Sequence, residues 1–244
     1  MKTNNHATKF LGLAIVGAAL AVSTAKADLL SFSASFPAPL GTFEIPDWSS
    51  TLTLPKFNPA LGTLNSITFR LSGSVAGTAQ SENTSPSSGN DITLNLSAAL
   101  QLFRPGSTDL ANRLVVTTPT EVRTFTAGVY DGVTDFAGSS GVTFAGLGST
   151  KVNKAVYSSD ADKALFSGLG TIDLPITAIG KSKANGGGSA ISVFDTQARG
   201  DVTVTYNYGP SVPPVPEPRV YGAFGAMVCV GLAAFRRRQA AKKA

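Results

Sequence analysis

Ile92, Leu94, Leu96, Ala98, Leu100 and Leu102 put an apolar residue at every second position over eleven residues. On a helix that spacing would scatter the six side chains around the cylinder; in a strand all six share one face. The same alternation recurs. Phe32, Ala34 and Phe36 alternate with Ser31, Ser33 and Ser35, and Ile67, Phe69 and Leu71 with Thr68, Arg70 and Ser72. Near the end, Val202, Val204, Tyr206 and Tyr208 alternate with Asp201, Thr203, Thr205 and Asn207. Further strands are expected at Thr51–Leu54, Leu114–Phe125, Thr171–Ile179 and Ser189–Asp195, with turns at the Gly/Ser/Asn/Pro clusters 84–90, 138–141 and 185–188. The one helical signal is a short turn over Asp160–Phe166, whose Leu165 and Phe166 could dock on a sheet. These features predict an all-β domain over 28–208, an antiparallel β-sandwich with jelly-roll-like character. Strand order is not readable from the pattern.

The two ends follow other rules. Lys2, His6 and Lys9 precede an apolar core, Phe10–Val22, and Ala25-Lys26-Ala27 reads as an A-x-A cleavage site. Residues 1–27 therefore read as a secretory signal peptide, leaving Asp28 as the first mature residue. At the other end, 209–214 is a Pro-rich linker that favours extended chain. Val215-Pro216-Glu217-Pro218 follows, then an apolar run over 220–235, then Arg236, Arg237 and Arg238. As a helix those 16 residues would span about 24 Å, short of a roughly 30 Å hydrocarbon core. The arginines should stay cytoplasmic, which leaves the chain before Val215 outside.

This three-part layout resembles the PEP-CTERM sorting signal of Gram-negative bacteria. Val215-Pro216-Glu217-Pro218 fits its VPEP box, the Gly/Ala/Leu-rich run its membrane helix, and Arg236 to Arg238 its terminal arginine cluster. The run is less leucine-rich than is usual there and carries Cys229, which reads as a small apolar filler rather than a lipidation site. The resemblance covers about 30 residues. It implies processing by exosortase, a membrane-embedded cysteine protease, near the box. It also implies association with exopolysaccharide production. An ordinary C-terminal anchor that is never cut is the alternative.

Removing both ends changes the electrostatics. The chain has 20 Lys and Arg against 15 Asp and Glu, but nine of the basic residues lie in the two terminal segments and every acid lies within 28–217. That region holds 11 basic and 15 acidic residues, a net charge of −4, so the basic character that would suggest nucleic acid is absent from it. The only His (His6) and the only Cys (Cys229) are also terminal. The region between them thus has no imidazole base, no thiol nucleophile, no His- or Cys-based metal site and no internal disulfide. No cofactor is expected.

Several local patterns mimic chemistry. Gly180-Lys181-Ser182 lacks the glycine a phosphate loop needs five residues earlier, where Pro175 stands. Leu174-Pro175-Ile176-Thr177-Ala178 reads as strand. Asp160 with Asp162, and Asp131 with Asp135, could offer oxygen ligands to calcium, but neither has the spacing of a known loop, and solvated acids are the alternative. For sugar contact, Trp48 beside Asp47, and Tyr130 beside Asp131, offer a ring with a polar neighbour; rim packing is the competing reading.

Leu54-Pro55-Lys56-Phe57-Asn58-Pro59-Ala60-Leu61-Gly62, leading into Ile67-Thr68-Phe69, resembles the opening of the choice-of-anchor E domain, with Asn58 where Asp is usual. That resemblance implies an extracellular β domain and brings no catalytic residues. Read by itself, the segment is a loop whose prolines break regularity while Phe57 and Leu61 plug the core. The expected protein is non-enzymatic: exported across the inner membrane, held briefly by its C-terminal helix, then placed at the cell surface or in the exopolysaccharide matrix of a biofilm. A carbohydrate-binding module is the first alternative and a carboxylate-driven glycan hydrolase the second.

Overall fold

The computed structural model describes residues 27–210 together with Arg236 and Arg237. The expected signal peptide up to Lys26, the box Val215–Pro218 and the apolar run 220–235 lie outside the described residues. Among the described residues no helix is long and apolar enough to cross a membrane.

The described residues form ten strands: β1 (Asp28–Phe36), β2 (Trp48–Pro55), β3 (Gly62–Asn83), β4 (Asn90–Phe103), β5 (Arg113–Thr117), β6 (Thr120–Ala127), β7 (Gly141–Tyr157), β8 (Thr171–Gly180), β9 (Lys183–Gly186) and β10 (Ala190–Pro210). One short helix, α1 (Asp160–Phe166), precedes β8. The first sheet has the order β1-β10-β3-β7 and the second β2-β8-β4-β5, with β6 and β9 also on β4; every strand pairing is antiparallel.

Strand β4 organises the second sheet. Its first half pairs with β6 on one side and β9 on the other; its second half pairs with β5 and β8. The region expected as one strand over Leu114–Phe125 is divided at Thr118-Pro119, because proline has no N–H to give the ladder. On the opposite side Lys181-Ser182 forms the joint between β8 and β9. There the Lys181 N–H donates to the Ser97 carbonyl (2.9 Å) and the Ser97 N–H to Ser182 Oγ (3.0 Å). The second layer is therefore four strands wide (β2-β8-β4-β5) at one end and three (β9-β4-β6) at the other, and the first narrows in the same way where β1 ends opposite Gly200.

The alternating apolar residues meet between the layers. Ile67, Phe69 and Leu71 of β3 and Val202, Val204 and Tyr206 of β10 face Leu100 and Leu102 of β4 and Leu174 and Ile176 of β8, all buried. A second cluster, with Ile92, Leu94 and Leu96, fills the other end. At mid-length Gly73 and Gly200 stand directly opposite each other on β3 and β10. A Cβ on Gly200 would lie 2.7 Å from Ile176 Cδ1 and 3.1 Å from Leu100 Cδ2; one on Gly73 would lie 2.9 Å from Leu100 Cδ1. The paired glycines make a notch in one sheet; Leu100 of the other spans both, flanked by Thr117 Cγ2 over Gly73 and Ile176 Cδ1 over Gly200.

Phe57 is buried as expected and packs on Tyr206 and Tyr208. Leu61 is not a core plug: it is 43% exposed, and Leu64, two residues into β3, takes the buried place. The reason is a 3-10 turn over Pro59–Leu61, capped by Asn58, which turns Leu61 outward. Tyr206 is fully buried, its hydroxyl donates to the Pro55 carbonyl at 2.9 Å, and burial pushes its pKa up to about 12. Strand β7 answers to no expected strand, while β10 runs through Gly209 and Pro210, residues expected as linker, where they pair with Thr63 and Gly62.

Two variants test the notch. Leu100→Ala should cost about 2–5 kcal/mol, and Gly200→Ala should also destabilise through overpacking, by about 1–3 kcal/mol. In the double variant Ile176 Cδ1, 2.7 Å from the new methyl, can shift into the space Leu100 vacates, so the combined loss in urea unfolding should be clearly smaller than the sum. Strict additivity would contradict this packing.

Candidate functional site

Trp48 opens β2 opposite Ala178, whose side chain is fully buried, so the indole lies on the inner face of its sheet. It packs on Phe36 with ring centroids 4.7 Å apart and is half-buried, and its Nε1 is buried without a partner. Asp47 is exposed and has φ 72°, in the left-handed region that non-glycine residues rarely occupy. Its Oδ1 accepts the Gly180 N–H at 3.1 Å, and its own N–H donates to the Ala178 carbonyl at 2.8 Å. Tyr130 belongs to the β6–β7 loop, with its hydroxyl 3.0 Å from Thr134 Oγ1. Trp48 lies level with Leu100 on β4, whereas the loop of Tyr130 leaves β6 at Ala127, level with Asn90. Ten residues of strand, about 33 Å, separate them, so the three suggested sugar contacts do not form one site.

A groove does form beside Asp47, on the outer face of the second sheet. Ser49, Thr177 and Gln101 stand in register across β2, β8 and β4, in the phase opposite to the core residues. Phe103 and Ile179 extend this floor, and Thr108 and Leu110 of the β4–β5 loop wall it. The loop folds back through an Arg104 N–H to Asn112 carbonyl bond of 2.8 Å. The groove encloses about 360 Å³, within the usual range of about 300–1,000 Å³ for ligand pockets.

Its polar groups are unevenly satisfied. Arg113 donates to Gln101 Oε1 at 3.1 Å, which fixes the carboxamide with its NH2 turned away from the guanidinium. Thr177 Oγ1 is buried and has no partner. Among the lining residues Asp47 alone carries a charge. Sequence reasoning found Asp47 and Trp48 but neither Gln101 nor Thr177. A signal was present: Leu102 and Phe103 are adjacent and both apolar, which breaks the alternation and marks a strand covered on both faces.

The carboxylates read from the sequence act within the fold. Asp131 Oδ1 accepts the Val133 N–H and Asp135 Oδ1 the Ala137 N–H, each at 3.0 Å, so both cap turns. Asp160 is exposed and 2.8 Å from Lys163 Nζ. Asp162 is not a solvated loop acid: it is buried, pairs with Arg104 and accepts the Ser159 hydroxyl at 2.6 Å. Arg104 also lies over the Tyr157 ring, so this pair latches α1 to the β4–β5 loop. Burial works to raise the Asp162 carboxyl, but hydrogen bonds from Ser159 and Arg104, with the guanidinium charge, outweigh it and hold the carboxyl below its ordinary range. Glu82 is fully buried; its Oε2 accepts the Phe136 N–H at 2.8 Å, and its Oε1 has no partner. Among the described residues no three His, Cys, Asp or Glu side chains converge as metal ligands.

No family model matches the chain, and no curated protein does. Among solved structures it is similar to Desmodium yellow mottle tymovirus at 8% identity and TM-score 0.22, covering 86% of this chain and 100% of that one. It is similar to the T13 particle of infectious bursal disease virus at 10% identity and TM-score 0.21, covering 81% of this chain and 42% of the other. The VP2 subviral particle of that virus gives 11% identity and TM-score 0.19, covering 89% of this chain and 50% of the other. The chain thus spans half or less of the length of these last two. At such TM-scores the likenesses carry neither fold nor function.

The Asp162 latch sets a pH dependence. Because the folded carboxyl sits below its unfolded value near 4, its contribution is complete above that pH and fades as pH falls through the depressed folded value. Asp162→Ala should cost about 1.5–3 kcal/mol at pH 7, and in urea unfolding the gap to the unaltered protein should narrow progressively as pH falls below about 4.

Proposed function

We propose that this is a non-enzymatic exported protein of the cell surface or extracellular matrix, built on a jelly-roll-type sandwich. It is delivered by an N-terminal signal peptide and released or attached after exosortase cuts near Pro216–Pro218. The observation that carries the reading is the ordered C-terminal layout: Val215-Pro216-Glu217-Pro218, the apolar run 220–235, then Arg236 to Arg238. Paired strands extend from Asp28 to Pro210, which supports a folded unit fitted between the two signals. Strand order supports the jelly-roll reading: with β5/β6 and β8/β9 counted as one strand each, eight strands divide four and four, and successive strands change layer except from β4 to β5/β6. The delivery route runs from the inner membrane, where the apolar run 220–235 holds the chain, to the exterior and its exopolysaccharide.

The groove beside Asp47 favours a second reading, carbohydrate recognition, over hydrolysis. Acid–base cleavage of a glycosidic bond generally needs two carboxyl groups flanking it, and Asp47 is the one carboxylate among the lining residues.

Glu217→Ala, or deletion of Arg236–Arg238, should leave an uncut form in the inner-membrane fraction, detected as a larger band on immunoblots. Appearance of both variants in the medium at the unaltered mature size would refute the sorting mechanism.

A further inference from the structure

We propose that the groove on the outer face of the second sheet binds a neutral saccharide chain, with Asp47, Gln101 and Thr177 as its polar contacts. This deepens the carbohydrate reading and rests on it. Three independent features converge on one place. The first is the orphaned Thr177 hydroxyl: a buried polar group without a partner is destabilising, and its outer-face position puts it on the groove floor. The second is the left-handed backbone of Asp47, a strained conformation that aims a carboxylate at the groove's end. The third is Gln101, an amide on an outward strand position that is nonetheless 6% exposed and held by Arg113 so that its NH2 remains to donate.

The chemistry of this set selects the ligand. Phe103, Ile179 and Leu110 supply apolar surface, which suits the C–H face of a sugar ring. A carboxylate, an amide donor and a hydroxyl around it match the hydroxyl groups on the ring's edge, each both donor and acceptor. The single charge in the lining is negative, and the Arg113 guanidinium is engaged on Gln101 Oε1, so the lining presents a carboxylate and no cation to a polyanionic chain and disfavours it relative to a neutral one. The groove's length of open surface across three strands suits a chain rather than a single enclosed sugar.

The test uses the full-length protein in detergent and a panel of neutral gluco-, manno- and galacto-oligosaccharides of about six units, with oligo-alginate as polyanionic comparator. Binding is read by isothermal calorimetry, which needs no reporter side chain in the groove. At least one neutral oligosaccharide should bind saturably and alginate should not. Thr177→Val and Asp47→Asn should each weaken that binding at least tenfold. Thr177→Val should leave the melting temperature unchanged or raise it, a combination that a purely structural role would not produce. Failure of the whole neutral panel, or unaltered affinity in both variants, would overturn the proposal. A protein still retained on native exopolysaccharide after both substitutions would bind carbohydrate elsewhere, which overturns this groove and leaves the broader carbohydrate reading intact.

Discussion

Leu100 seated over Gly73 and Gly200 fixes how closely the two sheets approach. Sheets of full-sized side chains pack about 10 Å apart. Here two glycines in register remove the side chains of one layer at its centre, and a leucine of the other layer enters the space. The leucine belongs to β4, the strand with four partners, so this contact locks the strand on which the second sheet is assembled. The groove depends on it as well. Gln101 and Phe103 reach the outer face only because Leu100 and Leu102 are committed to the inner one.

That dependence explains what could be read in advance. Strands with a long alternating run of apolar residues, such as β4 from Ile92 to Leu102 and the second half of β10, announce both their existence and their buried face. Strand β7 does not. Gly146, with φ 65°, forms a bulge against Gly77/Ala79 of β3, so Phe144 and Leu147 both turn inward although three positions apart, and the alternation is lost. The expected strand over Leu114–Phe125 concealed a break that only proline's missing donor enforces.

The glycine notch was illegible for another reason: it is a relation between residues more than 120 positions apart, and no local pattern encodes cross-strand register. The same holds for the burial of Asp162, which depends on Arg104 arriving from a distant loop. For the candidate site, Asp47 and Trp48 were legible as chemical types. Their roles were not, since register alone sends the indole inward and leaves the carboxylate at the groove. Gln101 and Thr177 read as ordinary outward polar positions until the β4–β5 loop covers them.

The proposed function divides between two kinds of information. The proposed delivery is written linearly, in terminal segments read as addresses before and after folding. The proposed recognition is written in three dimensions, on an outer sheet face that the folded core positions. The central claim, export and release of the sandwich between its two signals, is tested most directly by the intact mass of the protein recovered from the producer's extracellular matrix. The account expects one species beginning at Asp28 and ending near Pro216–Pro218. A species that retains residues 1–26, or that extends through Arg236–Arg238 to Ala244, would contradict it.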